Sequence, residues 1–183
     1  MDRKVMDDKT LLNECLKGSS LAQKKLFEKY ASKMMFVCLR YCKEAEDAED
    51  VLQEAFIKVF SSLNKYQYEG SFEGWMRKIM VNCCLDFLRK QKQFKGQSSL
   101  DLVDYKIPST ELASDNLHAE DLLKMIQEMP KGYQVVFNLF AIEGYSHKEI
   151  AELIGVSEET SKSQYFRARA FLKNNLEKLN IGR

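Results

Sequence analysis

The sequence predicts an all-α protein with two small helical domains joined by a flexible linker. Apolar residues recur at helical spacing through almost all of the 183 residues, and strand-like alternation is sustained nowhere. The chain holds only two prolines and eight glycines, so long uninterrupted helices are permitted. Hydrophobic residues make up 45% of the chain, which is enough for a packed core.

Breaks in the apolar pattern divide the first half into helices. Gly18 followed by Ser19 predicts the end of one helix and the start of the next. A second helix follows, and a third is expected from about residue 46 to residue 63. A tyrosine-rich loop over residues 64–70 then leads to Ser71, which is suited to cap a helix that reaches about residue 92.

The middle of the chain lacks a helical period. Residues 91–116 carry a glycine, two adjacent serines and a proline, which is typical of a linker. From Gln97 to Leu122 the chain holds six acids and one lysine, so this stretch carries a charge of −5. The predicted division is a first domain at 8–94, an acidic linker at 95–117 and a second domain at 118–179.

The second domain contains a helix-turn-helix pattern. Ile150 and Ile154 are spaced to pack one helix, Gly155 suits a tight turn, and Ser157 can cap the next helix. That next helix is expected over about residues 158–179 and would enter the major groove of DNA. The alternative is an ordinary amphipathic helix with a solvated basic face.

Polar and basic side chains share one face of this last helix. The set offers cations, hydroxyls and an apolar ring, which can hold phosphates and contact base edges. From residue 162 to the end of the chain there are six basic residues and one acidic residue, although the net charge of the whole chain is only +1. The candidate DNA-binding residues are Thr160, Lys162, Ser163, Gln164, Phe166 and Arg167.

The predicted helix near residues 46–63 has an acidic face opposite its apolar stripe. Residues 43–54 carry six acids and one lysine, a charge of −5. Such a face repels DNA, so it is either a solvated surface or a docking surface for a basic protein partner. The candidate docking residues are Asp47, Asp50, Gln53 and Glu54.

Aromatic residues lie beside a basic helix after this acidic segment. Residues 73–95 hold six basic and two acidic residues, and aromatic side chains precede them. Aromatic rings next to a cationic track suit unpaired bases, which stack on them. Simple core packing is the alternative, above all for Phe72 and Trp75. The candidate residues for unpaired bases are Tyr66, Tyr68, Phe72, Lys78, Asn82 and Arg89.

Enzymatic chemistry is not indicated. We find no glycine-rich phosphate loop, no Ser-His-Asp set and no metal-ligand spacing, so no catalytic residue, cofactor or metal is expected. The five cysteines form no C-x-x-C pair and are expected to be reduced thiols in a cytosol. The charged N-terminus and the lack of a long apolar run predict neither a signal peptide nor a membrane span.

Two motif blocks in order resemble the extracytoplasmic-function sigma factors of bacterial RNA polymerase. The first is DAEDVLQEAFIKVF followed by FEGWMRKIMVNCCLDFLRK, and the second runs from MPKGYQVVFNLF to SKSQYFRARAFL. The resemblance covers roughly residues 8–176. The chain departs from the usual pattern at Glu159, Ser161 and Gln164, where glycine, valine and arginine are frequent. These departures leave the exact −35 sequence open.

The resemblance implies a specialised transcription initiation factor. The segment matching residues 47–54 would bind core RNA polymerase, the segment matching residues 66–89 would recognise and melt the −10 element, and the second domain would bind the −35 element. It also implies that the linker threads through the polymerase, that an anti-sigma factor is a partner to look for, and that the protein works on nucleoid DNA. A helix-turn-helix regulator with an N-terminal interaction domain, and an interaction protein that does not bind DNA, are the alternatives.

Overall fold

The computed structural model describes residues 8–94 and 119–181, and these residues are almost entirely helical. The chain divides into two compact units, residues 1–89 and residues 90–183. The all-α prediction is confirmed. The predicted linker at 95–117 and its threading lie outside the described residues. Two of the acids counted with it, Glu120 and Asp121, belong instead to the first turn of a helix, where carboxylates favour the helix dipole.

The first unit contains four helices and one short 3-10 turn. Their bounds are α1 (Asp8–Leu16), α2 (Ser20–Leu39), α3 (Ala45–Ser61), the 3-10 turn (Leu63–Lys65) and α4 (Phe72–Phe94). The predicted break at Gly18 is confirmed: its φ is +84°, and the Ser19 hydroxyl accepts a hydrogen bond from the amide of Ala22 at 3.3 Å. The predicted cap at Ser71 is also confirmed, because its hydroxyl accepts from the amide of Gly74 at 3.0 Å.

The core of the first unit lies between α2, α3 and α4. Most of its buried side chains are apolar or thiol groups, Tyr41 and Arg40 are buried with them, and all five cysteines are free and buried. Ion pairs tie the helices together at the surface: Lys33 of α2 lies 2.8 Å from Glu73 of α4, and Lys58 of α3 lies 3.8 Å from Asp86 of α4. The fully buried members at this core include Leu26, Met34, Cys38, Val59, Met76, Met80 and Cys84.

The second unit contains four helices, α5 (Ala119–Glu128), α6 (Lys131–Phe137), α7 (His147–Ile154) and α8 (Glu158–Ile181). The end of α6 continues as a π-helical turn, Asn138–Ile142. Helices α5, α6 and α8 share a core built on Ile126, Met129, Tyr133 and Ala168. Helix α7 packs on α8 and contributes one fully buried side chain, Ile150.

Helix α7 and the turn after it have well-defined ends. The Ser146 hydroxyl accepts from the amide of Glu149 at 3.2 Å, and the Glu149 carboxylate accepts in return from the Ser146 amide at 2.8 Å. Gly155 ends the helix with a φ of +71°, a left-handed conformation that is costly for other residues. The Ser157 hydroxyl then accepts from the amide of Thr160 at 3.0 Å and caps α8. The predicted turn and cap are confirmed, and α7 and α8 form the helix-turn-helix.

Candidate nucleic-acid interface

The exposed face of α8 carries most of the predicted DNA-binding side chains. Lys162, Ser163 and Phe166 are exposed, and Arg167 is half-buried on the same side. Phe166 is 63% exposed, so its ring is available for an apolar contact. We call these four residues the recognition surface.

Glu158 at the first turn of α8 restrains the recognition surface. Its carboxylate lies 2.6 Å from Nζ of Lys162, and this hydrogen bond raises the pKa of Lys162 and lowers that of Glu158. Both side chains are exposed, so the pair is weak in water and can open when a phosphate competes for the lysine. Thr160 lies beside this surface, with its hydroxyl 3.0 Å from that of Ser157.

Gln164 was predicted to bind DNA, but the structure buries its side chain. Gln164 is 2% exposed and lies against Gly132 of α6, where an added Cβ would approach its amide to 3.1 Å. The physical reason is helical spacing: position 164 follows Ser161 by three residues and precedes Ala168 by four, and both neighbours are fully buried. The core stripe therefore includes residue 164.

Two exposed cations near the recognition surface were not among the predicted site residues. Arg169 is exposed and follows Lys162 by seven residues, which places both on one side of α8. Lys148 is exposed on α7 and acts electrostatically on Glu158. The seven-residue spacing was a usable signal for Arg169, whereas the position of Lys148 depends on how α7 packs against α8.

The tyrosine-rich loop of the first unit forms a compact group of rings. The ring of Tyr66 lies 4.9 Å from that of Tyr68, 5.3 Å from Phe72 and 5.5 Å from Trp75, measured between centroids. The Tyr66 hydroxyl donates to the carbonyl of Gly70 at 2.9 Å, which closes the loop. Tyr68 is exposed and has a φ of +60°, a conformation that bulky residues rarely adopt.

Phe72 does not offer a free face to a base. It is 5% exposed, and its ring packs between Tyr30, Tyr66 and Trp75. The prediction that it lies on an accessible binding surface is therefore wrong, and the core alternative applies to it. Its position as the first residue of α4, directly after the cap, turns the ring toward α2.

The basic face of α4 is accessible to solvent. Lys78, Asn82 and Arg89 are exposed and share one side of the helix. Arg89 donates to Asp86 at 2.7 Å, an exposed pair that costs little to exchange for another anion. The face therefore begins near the tyrosine loop and presents cations and one amide along the helix.

The acidic face of α3 points away from the core. Asp50, Gln53 and Glu54 are exposed and Asp47 is half-buried, while the opposite face is buried. Nζ of Lys58 lies 3.0 Å from Glu54, and this contact raises the pKa of the lysine. Ile57 is 69% exposed beside these acids and was not among the predicted docking residues. An acidic face with an exposed apolar side chain is suited to a protein partner.

Among the described residues, no group of three or more His, Cys, Asp and Glu side chains is placed to hold a metal ion. None of the described helices is long and apolar enough to cross a membrane.

Comparison with known families identifies two segments of this chain. Residues 26–94 match Sigma-70 region 2, and residues 119–172 match Sigma-70 region 4, so that together the matches cover two thirds of the chain. The chain therefore carries the two segments that define a sigma factor of RNA polymerase. It belongs to the extracytoplasmic-function group of the sigma-70 family. A helix-turn-helix regulator with an unrelated N-terminal domain does not account for the region 2 match.

Individual relatives agree with this assignment. The sigma factor SigE of Mycolicibacterium smegmatis is 32% identical over 157 residues, which are 84% of this chain and 61% of that protein. SigM of Mycobacterium tuberculosis is 27% identical, with 98% of this chain and 90% of that protein covered. The sigma-E factor of Haemophilus influenzae is 26% identical, with 95% and 97% covered. The chain thus spans about three fifths of the first relative and nearly all of the other two.

Two solved structures are similar in fold. CnrH in complex with the cytosolic domain of CnrY matches with a TM-score of 0.51 and 20% identity, over 93% of this chain and 97% of that one. The sigma factor RpoE in complex with the anti-sigma factor NepR from Bartonella quintana matches with a TM-score of 0.54 and 18% identity, over 84% and 96%.

Proposed function

We propose that this sigma factor divides promoter recognition between its two units, with the acidic face of α3 docking on core RNA polymerase. The observation that carries the proposal is the recognition surface: Lys162, Ser163 and Phe166 stand exposed on a capped helix-turn-helix, in a chain that also bears a separate acidic face. One surface suits DNA and the other repels it, so the two ligands are different macromolecules.

Docking through α3 follows from charge and exposure. Asp50 and Glu54 lie on the side opposite the buried stripe, so they add little to stability where they are. A basic partner would gain from the −5 charge of residues 43–54. Ile57 supplies apolar area at the centre of such a contact, and Lys58, paired with Glu54, lies at the edge of the acidic face.

Strand opening at the −10 element is assigned to the tyrosine loop and the basic face of α4. Unpairing a base costs a few kcal/mol, and stacking on an aromatic ring returns about 1–3 kcal/mol per base. Tyr68, exposed at the loop, supplies such a ring, and Lys78 and Arg89 supply charge for the backbone. Asn82 offers an amide to a base edge. Phe72 and Trp75 pack against the Tyr66 ring of this loop.

The −35 element is assigned to the recognition surface. Arg167 is suited to a bidentate base contact, and Lys162 to a phosphate. The factor supplies location and opening, and the chemistry of RNA synthesis belongs to the polymerase, on nucleoid DNA. Because two relatives of similar fold were solved with a CnrY domain and with the anti-sigma factor NepR, an anti-sigma factor is also a proposed partner here.

The docking assignment is tested by charge reversal. The Asp50→Lys and Glu54→Lys double variant should lose affinity for core polymerase, measured by titration with labelled full-length protein. Its melting temperature should stay within about 4 °C of wild type, because exposed charges, including the Glu54–Lys58 pair, contribute little. Glu28→Lys reverses an exposed acid on α2 and is the matched control, expected to bind normally. Normal binding by the double variant would remove the assignment.

Promoter selectivity is tested by in vitro transcription with core polymerase on a genomic promoter library. Arg167→Ala should reduce the binding free energy at the base that Arg167 prefers by about 1–3 kcal/mol and should relax the −35 sequence preference. Lys162→Ala should weaken binding to all DNA sequences. It should also lower the slope of log affinity against log salt concentration, the salt slope, by about one unit. If both variants keep the wild-type −35 preference and affinity, the recognition surface is assigned wrongly.

A further inference from the structure

His147 connects the two helices of the helix-turn-helix. Its Nδ1 lies 2.9 Å from Oγ of Ser161, which is fully buried on α8. Its ring stacks on Phe140 with centroids 4.2 Å apart and an angle of 11°, and the ring of Tyr165 lies 5.8 Å away. These contacts fix the imidazole. The hydrogen bond to Ser161 uses Nδ1, so Nε2 is the ring nitrogen that can contact a ligand.

The fixed imidazole lies at the edge of the recognition surface. Ser161, its partner, directly precedes Lys162. The charged groups that act on it, Glu158 and Lys162, come from α8, while Phe140 contributes an uncharged ring; Lys148 of its own helix acts on Glu158. Burial, followed by the charge of Lys162, lowers the pKa of His147, and Glu158 opposes this effect. In the absence of DNA, the side chain is therefore mostly neutral near pH 7.

We propose that His147 is a further promoter-binding residue, which takes up a proton and contacts a DNA phosphate through Nε2, so that −35 binding strengthens as the pH falls. The inference rests on the proposed role of the recognition surface in −35 binding. The ligand is the phosphate backbone, which any duplex supplies, so the contact adds affinity and pH dependence without changing base preference.

The local structure can accept this proton without rearrangement. The Ser161 hydroxyl can donate to a neutral Nδ1 or accept from a protonated one, so the 2.9 Å hydrogen bond persists in both states. The face of Phe140 also tolerates a cation. Protonation therefore changes the charge at this edge and leaves the fold as it is.

The sign of the pH dependence follows from linkage. A nearby phosphate favours the charged imidazole, so the pKa of His147 is higher in the DNA complex than in the unbound protein. The complex then binds more protons, and affinity rises as the pH falls between the two pKa values. The contribution is absent above the bound-state pKa. A difference of one pKa unit gives up to a tenfold change in affinity.

The experiment measures binding of the full chain, assembled with core polymerase, to a fluorescent duplex of a promoter that this holoenzyme selects. Affinity is measured by anisotropy between about pH 8 and about pH 6, at several salt concentrations. Relative to His147→Asn, the wild type should gain about threefold to tenfold in affinity at the acidic end. Its salt slope should steepen there by up to about one unit, because one more phosphate is neutralised.

The variants separate charge from packing. Asparagine at position 147 keeps an amide near the place of Nδ1, where it can still bond Ser161, but it does not titrate. His147→Gln places an uncharged donor nearer to Nε2 and should also have a flat pH profile with a smaller loss of affinity. If either non-titrating variant keeps the wild-type pH profile and salt slope, the inference is overturned.

The result is distinguishable from failure of the proposed function. Lys162→Ala and Arg167→Ala are measured on the same duplex. If both leave binding unchanged, the recognition surface itself is misassigned. If they weaken binding while the His147 variants follow the wild type at every pH, only the role of His147 is rejected.

Discussion

Replacing Ile150 by alanine should strongly destabilise the second unit and leave the stability of the first unit unchanged. Ile150 is 0% exposed and is the one fully buried side chain that α7 contributes. Truncating a buried isoleucine to alanine costs about 2–5 kcal/mol, because transfer and cavity terms add. Residues 119–181 of the second unit number 63, which at about 0.05–0.15 kcal/mol per residue gives a stability of roughly 3–9 kcal/mol. The substitution removes a large part of it.

The position of the single tryptophan allows the unfolding of the two units to be followed separately by spectroscopy. Trp75 lies in the first unit, where its ring contacts Tyr66 and Phe72 at 5.5 and 5.6 Å. Its fluorescence therefore follows unfolding of the first unit, whereas far-ultraviolet circular dichroism follows the helices of both. Ile150→Ala should lower the midpoint of one circular dichroism transition by at least about 8 °C and leave the fluorescence midpoint unchanged.

Graded controls sharpen this test. Ile150→Val should cost about 0.5–1.5 kcal/mol, and Glu152→Ala, at an exposed position of the same helix, should stay within about 0.5 kcal/mol of wild type. A loss below about 1 kcal/mol for Ile150→Ala would show that α7 is anchored by its half-buried residues instead. A matching drop in the fluorescence midpoint would refute the assumption of separate cores.

Three further substitutions test other contacts of the fold. Ser146→Ala should cost about 0.5–2 kcal/mol through loss of the α7 capping box, as measured by urea denaturation, and Ser146→Asp should recover most of it. Gly132→Ala should not stabilise the second unit as a helical Gly→Ala change usually does, because the buried Gln164 amide is 3.1 Å from the new Cβ. In a double-mutant cycle with Gln164→Ala, the two changes in the free energy of unfolding should differ from additivity by at least about 0.5 kcal/mol. Additive changes would contradict this contact. Although burial raises the pKa of Asp8, hydrogen bonds from Lys29 and Tyr30 lower it overall, so its contribution is present above the unfolded pKa and is lost as the pH falls through the folded one. Asp8→Asn should therefore lower the urea midpoint at pH 7, and its difference from wild type should shrink steadily as the pH falls below the unfolded pKa; a difference that does not change with pH would exclude this origin.

Local chemistry made the ends of the helices predictable. Glycine before serine at residues 18–19, serine at 71 and the glycine–serine spacing at 155–157 each impose a backbone conformation or supply a cap within three residues. These signals depend only on neighbours in sequence. The acidic face of α3 was predictable for the same reason, since a strong apolar stripe on one side fixes what the other side exposes.

The errors arose where tertiary packing decides between two faces. Gln164 is polar, and polarity suggested exposure, but its spacing from Ser161 and Ala168 places it in the stripe that meets α6. Phe72 begins α4 directly after the predicted cap, but the direction of its ring depends on its contact with Tyr30 of α2, which is distant in sequence. The π-helical turn at Asn138–Ile142 has no local sequence signature, and the stacking of Phe140 on His147 could not be anticipated without it.

The loop that carries Tyr66 and Tyr68 is already ordered before any base arrives. Its rings contact one another, its ends are closed by the bond from Tyr66 to Gly70, and Tyr68 is held with a φ of +60°. A flexible loop would lose about 1–2 kcal/mol per residue in conformational entropy on binding. Here that loss has occurred during folding, so under the proposed −10 role the stacking energy at the loop would remain available as affinity for an unpaired strand. The rate of strand capture would then depend on how often the duplex opens, because the loop would add no ordering step of its own.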